Sequence, residues 1–190
     1  FAALTLVPAL SKAENVFRWA SKGYALTADP HTTSEFTTIS AARKIYDALY
    51  YYTKDLRLSV GLATGYRMEN PTTWIFMLRR GVKFHDGSAF SAKDVKFSFE
   101  RAMKPTSGIK FSVRSIETID IVDPYTIKII TKYPDPTLIK TIPFVFIMSQ
   151  EWSIRHKVTS PQDFKSSEES YATRNAMGTG PFKLESRVPG

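Results

Sequence analysis

One run of twenty-eight residues, Trp74 to Arg101 (WIFMLRRGVKFHDGSAFSAKDVKFSFER), constrains the fold of this chain more than any other stretch. Trp74, Phe76 and Leu78 alternate with Ile75, Met77 and Arg79. That period of two predicts a strand, and apolar residues on both faces near its start predict burial on both sides. Gly81 permits the positive φ of a tight turn. Val82 and Phe84 alternate around Lys83, which predicts a second short strand, and Asp86-Gly87 is a strong turn pair. Ser91 begins S-x-x-D, a capping-box pattern in which Asp94 takes the place of the stronger Glu or Gln. Ala92, Val95, Phe99 and Ala102-Met103 then share one helical face, with Lys93, Lys96 and Glu100 off it. Strand, turn and capped helix agree with one another, as they do in a real folding unit.

Weaker signals organise the rest. Val16 to Ala20 (VFRWA) reads as a first strand, and residues 21–38 as a polar loop containing Asp29-Pro30-His31. Ala42, Ile45, Tyr46, Leu49 and Tyr52 stand at helical spacing, which predicts a helix over 39–51. Residues 53–71, with Gly61, Gly65 and Pro71, read as a connection, and Pro105 to Gly108 ends the helix of the signature run. Ile119 and Ile121 alternate before Asp123-Pro124, and Tyr125, Ile127 and Ile129 after it. That is a hairpin, with proline suited to the first central turn position. Residues 136–142 read as a short helix, and 144–148 as a short buried strand or turn. Residues 157–175 read as a polar surface excursion, and Gly178 to Leu184 as a turn entering a strand. The fold class is mixed α/β.

With 43% hydrophobic and 13% aromatic residues among 190, the chain can bury a sizeable core. No stretch reaches the roughly 18 apolar residues of a membrane span. The formal net charge is +8, but Lys and Arg are scattered, densest at Arg43-Lys44 and Arg79-Arg80. No aromatic-interleaved basic motif accompanies them, so the charge reads as a solvated surface and no nucleic-acid partner is expected. Phe1 to Leu10 is apolar, and Ser11-Lys12-Ala13 places small residues where a signal peptidase reads. Residues 1–13 therefore read as the tail of a secretory signal peptide, cleaved near Ala13, with export to the periplasm. With no cysteine in the chain, no lipid anchor is expected there.

Catalytic chemistry has little foothold. His31, His85 and His156 stand apart and form no metal-binding spacing, so no metal or cofactor is expected. His85-Asp86 sits on a turn and reads as structural, Glu168-Glu169 as solvated. Gly178-x-Gly180 precedes a strand rather than a helix and is no phosphate loop. There is no G-x-S-x-G elbow and no cysteine nucleophile. These residues point to binding rather than catalysis.

Several anchors occur in an order that resembles a known family. They are Thr27-Ala28-Asp29-Pro30-His31, Ile45-Tyr46-Asp47-Ala48-Leu49, Gly61-Leu62-Ala63, Leu78 to Gly87, Phe90 to Val95, Val122-Asp123, Thr126-Ile127 and Gly178 to Phe182. Together they resemble the extracytoplasmic solute-binding proteins of the peptide/nickel class, which feed ABC importers, over roughly residues 16–187. Phe146 to Ser149 and Tyr171 to Asn175 resemble a narrower proteobacterial branch. Val60 departs from the usual proline before Gly61, and Tyr66 from the common tryptophan.

The resemblance implies an N-terminal part of a two-lobed periplasmic-binding-protein fold, the large lobe plus an inserted subdomain. Residues 14–38 would start the N-terminal lobe, 39–175 would form the inserted subdomain, and 176–190 would return a strand to the lobe. A second lobe would lie outside this sequence. Ligand would be held between lobes by hinge closure, and the closed form would dock on an inner-membrane ABC permease. Peptides are the implied ligand, with a nickel chelate, opine, oligosaccharide or other small solute as alternatives within the fold. A fragment of a secreted hydrolase or adhesin is the alternative of another class. The loop after the first strand would reach the ligand, which makes Thr33, Ser34, Glu35 and Phe36 candidate ligand-binding residues, with Tyr24 as an aromatic wall. The implied protein is a monomer, not an enzyme, and carries no cofactor.

Overall fold

The computed structural model describes residues 23–163, 166 and 168–188. The signal remnant and the strand expected at Val16 to Ala20 lie outside these residues. At the centre is a four-stranded antiparallel sheet in the order β3-β4-β6-β5. Its strands are β3 (Ala63–Asn70), β4 (Thr73–Leu78), β5 (Ile116–Asp123) and β6 (Thr126–Thr131). β4 is the predicted signature strand, and Thr73, Trp74, Ile75 and Phe76 are all buried, as its doubly apolar start required. β5 and β6 form the predicted hairpin, with Asp123 opposite Thr126 and the Tyr125 amide donating to the Asp123 carboxylate at 2.7 Å.

Helix α2 (Ala92–Met103) packs on this sheet. Its capping box is formed: Ser91 Oγ accepts from the first turn and Asp94 Oδ2 accepts from the Ser91 amide at 2.9 Å. Asp94 also accepts from the Gln150 amide at 3.0 Å, so one carboxylate caps α2 and the start of α4 (Gln150–Arg155), a helix the sequence reading did not anticipate. Ala92, Val95, Phe99 and Ala102 are buried in one cluster with Trp74, Phe76, Ile116, Ile119, Ile127 and Ile129. Burying a side chain the size of Phe99 is worth about 1.5–3 kcal/mol. Gly81 (φ 74°) and Gly87 (φ 89°) take the left-handed conformations expected of them. Val82 to Phe84, by contrast, forms only an isolated bridge, Lys83 to Ala89, rather than a strand.

Three segments differ from the sequence reading. The first helix, α1, spans Phe36–Ile45, not 39–51. It starts early because Glu35 caps it, and it stops at Tyr46, which is extended and donates its hydroxyl to the Ala28 carbonyl at 3.1 Å. Leu49 and Tyr52 keep helical spacing but lie outside the helix, Leu49 in a bend and Tyr52 on extended chain, and the Leu49 carbonyl accepts from Gly61 at 2.9 Å and Ala63 at 3.1 Å. The second segment, 53–71, holds β2 (Leu58–Val60), paired with β1 (Tyr50–Tyr52), and the whole of β3. β3 lies at the sheet edge and is mostly exposed, so it lacks the alternation that reveals a strand. Its Tyr66, in place of the family's common tryptophan, still packs on Trp74 and Phe76, with ring centroids 5.3 and 5.8 Å apart.

The third segment, 157–175, is not simply a surface excursion: Val158, Gln162, Ala172 and Thr173 are buried. The predicted helix near 136–142 is α3 (Leu138–Thr141), continued by a 3-10 turn at Ile142–Phe144. Val145 to Met148 is buried, with one bridge from Phe146 to Ala48. Residues 181–188 carry no ladder among the described residues, although the Gly180 and Phe182 amides donate to the carbonyls of Ile45 and Lys44 at 2.9 and 3.0 Å.

Candidate functional site

The start of α1 positions most of the expected ligand-facing residues. Thr33 Oγ1 accepts from the Glu35 amide at 3.1 Å, and both Glu35 carboxylate oxygens accept from the chain, at 2.7 Å from Thr37 and 2.7 Å from Thr38. The Thr37 and Thr38 N–H groups hold the Glu35 carboxyl down to about 2, so it stays ionised on an exposed helix end. Its negative charge is spent on the helix start.

A helix that begins at Phe36 puts Phe36, Ile39, Ser40 and Arg43 on one face. That face and Ser34 form one wall of a groove of about 780 Å3. The other wall is the β1–β2 hairpin, through Tyr52, Thr53, Lys54 and Leu56, with Phe144 at the base. Size and apolar lining are those of a small-molecule site. The hairpin is held in place: the Tyr52 hydroxyl donates to the Lys140 carbonyl at 2.9 Å, and Leu56 takes φ 56° in the 53–57 turn. Phe36 is 83% exposed and Leu56 80%, so large apolar groups stand uncovered at the groove's rim.

Among the five expected residues, Ser34 and Phe36 line this groove, while Thr33 and Glu35 shape the turn behind it. Tyr24 is exposed but lines a different recess, with Ala28, Ala42, Leu184 and Arg187. The structure therefore does not bring it to the others. Sequence reading missed Arg43, Tyr52, Lys54 and Phe144. The spacing of 36, 39, 40 and 43 would have found Arg43, had the helix been started at Phe36.

His85 and His31 behave as structural groups. His85 Nε2 lies 2.9 Å from the Gly180 carbonyl, and the His85 amide donates to the Gly178 carbonyl at 3.0 Å. His31 is fully buried beside Asp29 and Arg101, an arrangement that sequence reading did not find. Its Nε2 donates to the Phe146 carbonyl at 2.8 Å, which leaves Nδ1 to accept from Arg101 at 3.2 Å. Burial, and then the Arg101 charge, push His31 down to about 3, so the ring is neutral. No group of three or more potential metal-ligating side chains occurs among the described residues, and no helix there is long and apolar enough to cross a membrane.

Residues 57–190 match the family described as bacterial extracellular solute-binding proteins, family 5 Middle. The glutathione-binding protein GsiB of Salmonella choleraesuis is 31% identical over 165 residues, covering 84% of this chain and 30% of that protein. Among solved structures, the periplasmic binding protein DppA of Helicobacter pylori, in complex with the peptide STSA, is 26% identical with a TM-score of 0.68, over 84% of this chain and 34% of that one. A nickel ABC transporter protein from Bacillus halodurans is 28% identical with a TM-score of 0.67, over 88% and 32%. This chain thus spans about a third of the length of the proteins it matches. Motif order, fold and match agree: the chain belongs to the bacterial extracellular solute-binding proteins of family 5, a family of binding proteins and not of enzymes.

Proposed function

We propose that the protein carrying this chain is the periplasmic substrate-binding component of an ABC importer, and that it captures short peptides for an inner-membrane permease. The groove between α1 and the β1–β2 hairpin carries the reading: Ser34 and Phe36, expected at the ligand from the resemblance, open onto a cavity of ligand size. Thr33 and Glu35 set the turn that presents them. Tyr24 would contact ligand only from a separate recess. Relatives named for glutathione and for a bound tetrapeptide support a peptide-like cargo.

In this reading, residues 14–38 and 176–190 belong to the large lobe and 39–175 to an inserted subdomain. The sheet and α2 lie wholly within 63–131, which supports a self-contained insertion. Ligand would favour the closed form of two lobes and so shift the population toward it. The similarity to a nickel transporter protein supports a second cargo, a metal chelate held by the same fold.

The test uses the full-length gene product, purified without unfolding. Native mass spectrometry should find bound short peptides, and a mixed peptide pool should raise the melting temperature of protein stripped of ligand. The peptide reading fails if no peptide is carried, the pool leaves the melting temperature unchanged, and a nickel–histidine complex raises it instead.

A further inference from the structure

We infer that the α1–hairpin groove selects a solute bearing a carboxylate beside an apolar body, with Arg43 and Lys54 meeting the carboxylate. This rests on the groove being the ligand-facing surface and adds the chemical class of what it takes. Both cations line the groove, and among the described residues no acidic residue does. Among the described residues, neither cation lies within ion-pair distance of a carboxylate.

The acids nearby are otherwise placed. Glu35 gives both oxygens to the Thr37 and Thr38 amides. Asp47, in the adjoining recess that Arg43 and Tyr52 also line, accepts the Thr179 hydroxyl at 2.8 Å. Asp55 follows Lys54 in the hairpin turn but is not part of the lining.

Arg43 is also preorganised. Its guanidinium carbon lies 5.8 Å from the centre of the Phe144 ring, and that ring packs on Tyr52 and Phe111 at 6.4 and 6.3 Å. A guanidinium resting on an aromatic face keeps its N–H edge free for a carboxylate. Phe36, Ile39 and Leu56 supply the apolar surroundings in which such a bond gains strength. The first turn of α1 offers no competing anion site, because Glu35 already fills it. Lys44, in the same last turn as Arg43, is exposed and lines no part of the groove, which makes it an internal control.

Titration calorimetry on the full-length gene product, stripped of bound solute, tests this with two probes, glutathione and Ser-Thr-Ser-Ala, each as the free acid and with every carboxyl amidated. Whichever free acid binds should bind about tenfold or more tighter than its amide, the scale of one charge-assisted hydrogen bond. Arg43→Gln and Lys54→Gln should weaken the acid by a similar factor, leave the amide unchanged, and so erase the preference. Lys44→Gln should alter neither. Equal affinity for acid and amide, or an equal loss for both in the two groove variants, overturns the carboxylate inference while the peptide reading stands. Binding of neither probe in any form counts against both. If Arg43→Gln lowers the melting temperature but leaves the acid's affinity intact, another part of the protein covers the groove and the inference is wrong.

Discussion

Arg101 and Asp29 meet in a two-pronged ion pair, Nη1 to Oδ1 at 2.7 Å and Nη2 to Oδ2 at 2.6 Å, with both side chains fully buried. The guanidinium is saturated by the carbonyls of Val158 and Ser160, each at 3.0 Å, and by His31. Asp29 in turn accepts from the His31 amide at 3.1 Å and the Gln162 amide at 3.3 Å. Burial alone would raise the Asp29 carboxyl, but the Arg101 charge and hydrogen bonds hold it below the usual carboxylate range. The pair therefore pins the 27–32 loop and the 158–162 segment onto α2. Removing one partner strands a buried charge, so Arg101→Met should cost about 3–5 kcal/mol. The double variant Asp29→Asn/Arg101→Met should cost less than the sum of the two single changes. Urea denaturation of the four proteins measures both.

His31 gives the same cluster a pH dependence. Its folded value of about 3 lies below the ordinary 6.5, so below pH 6.5 the unfolded chain takes up a proton that the folded chain refuses. Stability is fully present above pH 6.5 and falls as the pH drops toward 3. The slope from this one group approaches about 1.4 kcal/mol per pH unit. Asp29, being depressed, adds its own loss only below its ordinary 3.8. Urea midpoints between pH 7 and 5 should fall steeply for the natural protein and less for His31→Gln. Parallel curves for the two would show that His31 does not set the slope.

The same cluster marks the limit of what the sequence discloses. The capping box at Ser91 and the β5–β6 hairpin are local, so turn chemistry reveals them, and strand β4 is legible from its own alternation although it pairs with β6 far along the chain. Asp29 and Arg101 are seventy-two positions apart, and nothing in the spacing of either announces the other. Glu35 was expected at the ligand and not as a helix cap, for a different reason. Glutamate is not among the preferred N-cap residues, so the helix was expected later, and with it went the face that carries Phe36 and Arg43. The exposed edge strand β3 shows no alternation because solvent meets most of both its faces.

Glu35 should be required for the order of the groove wall. Glu35→Ala removes the acceptor of the Thr37 and Thr38 amides, so their hydrogen exchange should speed up and α1 should fray at Phe36. Glu35→Asp or Glu35→Ser, which can still accept from these amides, should restore much of the protection. Because the carboxyl is depressed to about 2, the cap is fully ionised above its ordinary 4.5 and fails only as the pH falls toward 2. Exchange measured at pH 6 therefore reads the intact cap. Unchanged exchange at Thr37 and Thr38 in Glu35→Ala would mean the helix start is held by other contacts.

Gly178 is the sharper test of how the last described segment docks. A Cβ placed there would stand 2.1 Å from the Ile45 carbonyl oxygen, and one at Gly180 would stand 2.7 Å from the Ile45 carbonyl carbon. Both obstacles are backbone at the end of α1 and cannot swing aside. Around them the Gly180 amide donates to Ile45, Thr179 donates its hydroxyl to Asp47, and His85 lies against both glycine carbonyls. Gly178→Ala must therefore push 178–182 off α1 and break several of these bonds together, at a cost of about 1–3 kcal/mol. Gly81→Ala makes a useful contrast, since nothing stands within 4 Å of its Cβ position and only its φ of 74° is strained. That change should cost roughly 1–2 kcal/mol and leave 178–182 in place. Thermal denaturation gives the two costs, and amide exchange at Gly180 and Phe182 separates them: it should rise in Gly178→Ala alone. Equal exchange in both variants would mean that close approach to Ile45 is not what holds this segment.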